Sequence, residues 1–160
     1  MKNTKCGFVA LIGEPNAGKS TLMNRIVGAK VSIVTHKVQT TRARIRGIAM
    51  QENSQLVFVD TPGLFKTRRK LDKAMVAAAW SGAADADIVV LIVEAHRGIT
   101  SGVEMILEGL EKRDVKDQRL ILAINKIDKI KSDALLSLTQ SLNQRLNFEE
   151  TFMISAEKGY

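Results

Sequence analysis

The sequence predicts an α/β fold, with helices wound over both faces of a six-stranded, mostly parallel sheet that carries one antiparallel strand. Two observations lead there. Short apolar runs rich in Val, Ile and Leu alternate along the chain with amphipathic stretches of helical period. Two of those runs, 45–50 and 56–59, flank the short polar turn Gln51-Glu52-Asn53-Ser54, the mark of an antiparallel hairpin.

The elements follow in order. Residues 8–12 are apolar in succession, as a strand buried on both faces requires. Over 20–27, Leu22, Met23, Ile26 and Val27 fall on one side of a helix. After the hairpin, 71–84 is an alanine-rich helix in which Met75 and Trp80 read as core contacts. Strands at 88–93 and 120–124 are separated by a helix over 102–112. A helix at 132–146 and a strand at 151–154 complete the set, and Ser155-Ala156-Glu157-Lys158-Gly159 leads to the last residue, Tyr160. No helix follows to cover that strand, so the domain, 1–160, reads as cut short after its last loop.

A length of 160 residues implies one domain, and 45% apolar content suffices for a core. With five Phe, one Trp and one Tyr, aliphatic side chains must fill it, and base stacking is a poor candidate for the main activity. No apolar run approaches the roughly 18 residues needed to cross a bilayer, and no cleavable leader pattern is present. The single cysteine, Cys6, excludes an internal disulfide and reads as an inert thiol in a reducing, cytoplasmic setting. A net charge of +7 leaves nucleic acid, anionic lipid and simple solubility open. His36 and His96 belong to no Cys or carboxylate set at metal spacing and read as surface or loop packing.

Chemistry concentrates in the loops after the strands. Gly13-Glu14-Pro15-Asn16-Ala17-Gly18-Lys19-Ser20, with Thr21 behind it, fits G-x-x-x-x-G-K-[ST] between a strand and a helix, the context of a phosphate-binding loop. Gly13 and Gly18 are expected to supply backbone angles that turn consecutive N–H groups toward phosphates. The helix starting near Lys19 adds its positive end. Lys19 suits the β- and γ-phosphates, and the Ser20 hydroxyl suits Mg²⁺.

Asp60-Thr61-Pro62-Gly63 follows the strand ending at Val59. Asp60 can hold Mg²⁺, usually through water, and the Gly63 N–H can approach a γ-phosphate. Alone, D-x-x-G is equally a turn; its place after a phosphate loop gives it the functional reading. Asn125-Lys126-Ile127-Asp128 selects a base. Guanine presents N1–H and a 2-amino group side by side, which one carboxylate, Asp128, accepts as a pair, whereas adenine would leave it unmatched. Asn125 can bond the base edge and brace the phosphate loop, while the Lys126 stem lies along the ring. From the Ser155-Ala156-Glu157 loop, the Ala156 N–H is the expected donor to guanine O6.

These loops, with Gln39-Thr40-Thr41-Arg42, stand in the order and at the spacing of the Era family of GTP-binding proteins, which the whole chain resembles. The resemblance implies a P-loop G-domain that binds GTP/GDP and Mg²⁺ and hydrolyses GTP slowly, as a switch in small ribosomal subunit (16S rRNA) maturation. It implies that Thr41 completes Mg²⁺ coordination when GTP is bound. It also implies a monomer with small-subunit ribosomal RNA and the 30S subunit as partners, in the cytoplasm and in peripheral contact with the membrane's inner face. The family's RNA-binding KH domain, with its G-x-x-G clamp, has no counterpart here. Two alternatives stay open: the G domain of a tRNA-modification or tandem ribosome-assembly GTPase, and a nucleotide-binding interaction module with negligible hydrolysis.

For hydrolysis, the catalytic candidates are Lys19, Thr41, Gly63 and Asn16. Ras-like proteins orient water with a glutamine after D-x-x-G, where this chain has Leu64, so intrinsic turnover should be slow. In relatives with a Pro-Asn phosphate loop the matching asparagine helps hold K⁺, which gives Asn16 that role; the alternative is that it only stabilises the turn. Two basic clusters, Lys37, Arg42, Arg44 and Arg46, then Lys66, Arg68, Arg69 and Lys70, lie where order is expected to follow the γ-phosphate. They could couple nucleotide state to an RNA backbone, or form a solvated face.

Overall fold

Alternation along β1 (Lys5–Gly13) sets the architecture: Ala10 and Ile12 face one core, Val9 and Leu11 the other. The computed structural model describes residues 3–28, 45–59, 70–113 and 117–160. In it β1 lies inside a sheet ordered β2-β3-β1-β4-β5-β6, with β2 (Ile45–Gln51), β3 (Ser54–Val59), β4 (Ile88–Glu94), β5 (Arg119–Asn125) and β6 (Glu150–Met153). Every pairing is parallel except β2 with β3, the expected hairpin.

The helices are α1 (Lys19–Gly28), α2 (Lys70–Ala84), α3 (Ser101–Glu111) and α4 (Ser132–Arg145). Ala79 and Ala83 of α2, Ile106 and Leu107 of α3 and Leu142 of α4 share one core with the even face of β1. Small alanines let α2 approach the sheet closely, and the Trp80 ring packs at the margin under the Arg113 guanidinium, 4.7 Å away. Met75 lies outside the described side chains.

On the opposite face α1 contributes Met23 and Val27. Beside it an apolar groove stays open, lined among others by Leu11, Phe58, Val90, Ala123 and the half-exposed Phe152. No helix among the described residues is long and apolar enough to cross a membrane.

Parallel connectivity brings the carboxyl ends of β1, β4, β5 and β6 to one edge. The sheet grows from β1 to β3 on one side and then, after α2, to β4 on the other, so a crevice opens at this reversal, where ligands of such sheets bind. Thr40, Thr41, Asp60, Gly63, Leu64, His36 and most of both basic clusters fall in 29–44 and 60–69, outside the described residues.

Candidate functional site

The loop after β1 curls back on itself and feeds α1. Ala17 N–H donates to Glu14 O at 3.2 Å, and Leu22 N–H donates to Gly18 O at 2.9 Å as the helix begins. Asn16 (φ 66°) and Gly18 (φ 107°) both take left-handed backbone, which asparagine and glycine tolerate better than other residues. At Gly18 a side chain would also run into the Asn125 amide.

Gly13 serves differently from the expectation. Its φ is not in the left-handed region; what requires glycine is space, because a Cβ there would lie 2.7 Å from Ile92 O on β4. Gly13 is thus needed for the room it leaves the β4 carbonyl and not for its own backbone angle.

Lys19 reaches into this loop, donating from Nζ to Gly13 O (3.2 Å) and Glu14 O (2.8 Å). Burial lowers its pKa to about 8, with the Glu14 carboxylate opposing the shift. The loop therefore holds an ammonium that carbonyls alone only partly compensate, and an anion would complete its shell. Ser20 and Thr21 are exposed in the first turn of α1, and Pro15 is exposed at the loop tip.

Asn125, at the end of β5, is 2% exposed and joins two loops: its Nδ2 donates to Ala17 O (3.0 Å) and its Oδ1 accepts from Ala156 N–H (2.9 Å). Bracing of the phosphate loop by Asn125 is as expected. The Ala156 N–H assigned to guanine O6 instead meets this amide, because a buried donor needs a partner. One Nδ2 hydrogen remains beyond the Ala17 bond.

Asp128 sits in a short 3₁₀ turn (Ile127–Lys129) docked to the last loop by Ile127 N–H on Ile154 O at 3.3 Å. The Ser155 hydroxyl donates to its Oδ1 at 2.8 Å, and Lys158 Nζ lies 3.8 Å from Oδ2. Chiefly the Ser155 hydroxyl, with Lys158 and Lys129 nearby, holds the carboxyl below its ordinary range. Asp128 thus stays an ionised double acceptor, with its orientation fixed from the neighbouring loop.

Two contributors escaped the sequence reading. Arg25, near the end of α1, donates to Glu157 O at 2.7 Å and ties the phosphate-loop helix to the last loop. On an amphipathic helix its polar position carried no signal. Glu94 closes β4, is 8% exposed, and lies 3.1 Å from Lys126 Nζ. It did carry a signal: a charge ending an apolar strand, the same cue that marked Asp60.

A family model for the 50S ribosome-binding GTPase matches residues 8–126. GTPase Era of Dinoroseobacter shibae is 73% identical over 157 residues, covering 98% of this chain and 51% of that protein. GTPase Era of Agrobacterium fabrum is 59% identical over 156 residues, covering 98% and 48%. Among solved structures, Era in complex with MgGDPNP and nucleotides 1506–1542 of 16S ribosomal RNA superposes with a TM-score of 0.79 at 36% identity, covering 98% of this chain and 53% of that one. A variant of Aquifex aeolicus Era bound to GDP and AlF₄⁻ gives 0.77 at 35% identity, with coverage of 98% and 53%. The chain spans about half the length of the curated relatives it matches.

Proposed function

The chain belongs to the 50S ribosome-binding GTPase family, and from that premise we propose that it binds GTP and GDP and hydrolyses GTP slowly, as the nucleotide switch of an Era-type protein in small-subunit ribosomal RNA maturation. One observation carries the reading most directly. The Asn125 amide joins the phosphate loop to the last loop, while Ser155 aims the Asp128 carboxylate. Phosphate site and base acceptor are thereby fixed relative to one another, as recognition of a whole nucleotide needs.

The residues have distinct tasks. Gly13 to Gly18 offer backbone N–H groups to the phosphates, Lys19 places its charge on the β- and γ-phosphates, and Asp128 accepts guanine N1–H and its 2-amino group. Asn125 offers its second Nδ2 hydrogen to the base edge, and the Lys126 stem covers the ring. Ser20, with Thr41 and Asp60, would supply the hard oxygen ligands that suit Mg²⁺. Mg²⁺ held there would neutralise charge on the β- and γ-phosphates. Water attacks the γ-phosphorus as its bond to the β–γ bridging oxygen breaks, so GDP leaves, phosphate forms and the water's proton passes to phosphate or solvent; the Gly63 N–H would stabilise the transferring group. Leu64 cannot align that water, which makes unassisted turnover slow.

K⁺ held by Asn16, which is exposed on the phosphate loop with φ 66°, would supply part of the missing charge stabilisation. Turnover of GTP should be about tenfold faster in KCl than in NaCl, a barrier difference of about 1.4 kcal/mol. Asn16→Ala should remove the difference. Equal rates in the two salts for the unaltered chain would exclude the cation.

The ribosomal reading draws on the Era complex with 16S RNA and on the basic clusters around the γ-phosphate segments. In the cytoplasm, as a monomer, such a protein would grip small-subunit RNA according to nucleotide state. Filter binding of the longer Era-type protein to small-subunit RNA and to tRNA, with a GTP analogue and with GDP, tests this. Tight, nucleotide-dependent binding to ribosomal RNA is expected; binding to tRNA alone would favour a modification enzyme.

A further inference from the structure

We propose that Glu94 is a positioning residue that sets Lys126 against the phosphate-binding loop and so governs how long a bound nucleotide is held. The inference rests on the nucleotide site proposed above and adds a residue from β4 to it.

Glu94 is the polar end of an otherwise apolar strand, and its carboxylate is nearly covered. A buried carboxylate is costly unless paired, so its partners are informative. Oε1 lies 3.1 Å from Lys126 Nζ, and Oε2 lies 3.6 Å from His96 Nε2. The Glu94 carbonyl accepts N–H groups of Arg97 (3.3 Å) and Gly98 (3.2 Å), which pins the strand end from which the side chain extends.

The same Lys126 ammonium donates to Asn16 O at 2.9 Å. Lys126 (φ 62°) and Asn16 (φ 66°) are both non-glycine residues in left-handed backbone. Such residues persist where surroundings hold them, and here one side chain links the two. Glu94 fixes the ammonium from the strand side, the ammonium fixes the Asn16 carbonyl, and the Lys126 stem is thereby held to lie along the face of the ring. Without the carboxylate, an ammonium that is already a quarter exposed is better solvated by water than by one carbonyl.

This role differs from that of Asp128. Asp128 reads the base edge, whereas Lys126 covers the ring and braces the loop, contacts that any purine nucleotide shares. Loss of Glu94 should therefore weaken guanine and hypoxanthine nucleotides equally.

The test is a double-mutant cycle on release of fluorescent GDP and inosine diphosphate from the chain, using Glu94→Gln, Lys126→Met and the pair. Glu94→Gln should speed release of both nucleotides by about tenfold and leave their ratio unchanged, an effect within the range for coupled neighbours. In the Lys126→Met background the same change should add less than about twofold. A full effect in that background, or a changed ratio, overturns the proposal. A second readout needs no nucleotide: Glu94→Gln should speed hydrogen exchange at the Ala17 amide while Leu91 and Leu122 in the strands stay protected. Unchanged exchange at Ala17 overturns the proposal as well. A chain that binds no GDP, yet shows the Ala17 response, would instead refute the nucleotide reading and leave the Glu94 linkage standing.

Discussion

Asp128→Asn should cut GDP affinity about 1,000-fold and create binding of xanthosine diphosphate where the unaltered chain has little. The carboxylate accepts two donors from guanine, and each hydrogen bond to a charged group is worth about 1.5–3 kcal/mol. An asparagine keeps one acceptor and turns a donor toward the 2-amino group, so one bond is lost and a donor clash is added. Xanthine carries an oxygen at that position and restores the match. Sites built to pair buried polar groups reject mismatches by about 10⁴–10⁵. Ser155 makes the effect sharp, because its hydroxyl, 2.8 Å from Oδ1, already fixes the side chain. Titration with both diphosphates checks this, and unchanged GDP affinity would remove Asp128 from the site. The depressed carboxyl pKa also has a sign. Asp128 stays charged down through the ordinary carboxylate range, so its contribution to GDP binding is present at neutral pH and fades only as pH falls through its lowered native value.

Lys19→Met should weaken binding of a non-hydrolysable GTP analogue by a comparable factor, about 100- to 10,000-fold, for loss of charge-assisted contacts to the β- and γ-phosphates. Its pH dependence runs the other way. With the native pKa lowered to about 8, the nucleotide-free chain begins to lose the Lys19 proton above that pH. Phosphates favour the charged form, so binding there must take up a proton. Affinity should be fully present below pH 8 and fall about tenfold per unit above it, until the bound-state pKa is passed. Stability of the nucleotide-free chain has the opposite slope. The unfolded lysine, near 10.4, holds its proton longer than the native one, so unfolding becomes harder between pH 8 and about 10. Affinity and unfolding profiles against pH for the unaltered chain and Lys19→Met test this pair of slopes; a slope that survives in the variant would assign the titration elsewhere.

The sheet was legible in the sequence because its strands are buried on both faces and so advertise themselves as continuous apolar runs. Where apolarity faded, the boundaries moved. β1 begins at Lys5, three residues before the apolar run, because Lys5 to Gly7 pair with Ser54 to Leu56 through backbone groups that need no apolar side chain. The phosphate loop was legible from glycine spacing, but spacing does not say whether a glycine serves its own dihedral or a neighbour's carbonyl, as Gly13 shows. Asn125 was recognised, and its hold on the phosphate loop followed from its chemistry. Its bond to Ala156 was not foreseen, because it depends on how closely the last loop docks. Arg25 was invisible for the same reason: its partner lies 132 residues away, and no local pattern encodes that meeting.

The proposed function requires one rigid arrangement of loops to recognise phosphate and guanine together. Calorimetric titration of the chain with GDP and with ADP, in Mg²⁺ and at pH 7, tests it most directly. The geometry of Lys19, Asn125 and Asp128 predicts GDP binding at least about 1,000-fold tighter than ADP. Equal affinities would contradict it, leaving a phosphate loop without base recognition.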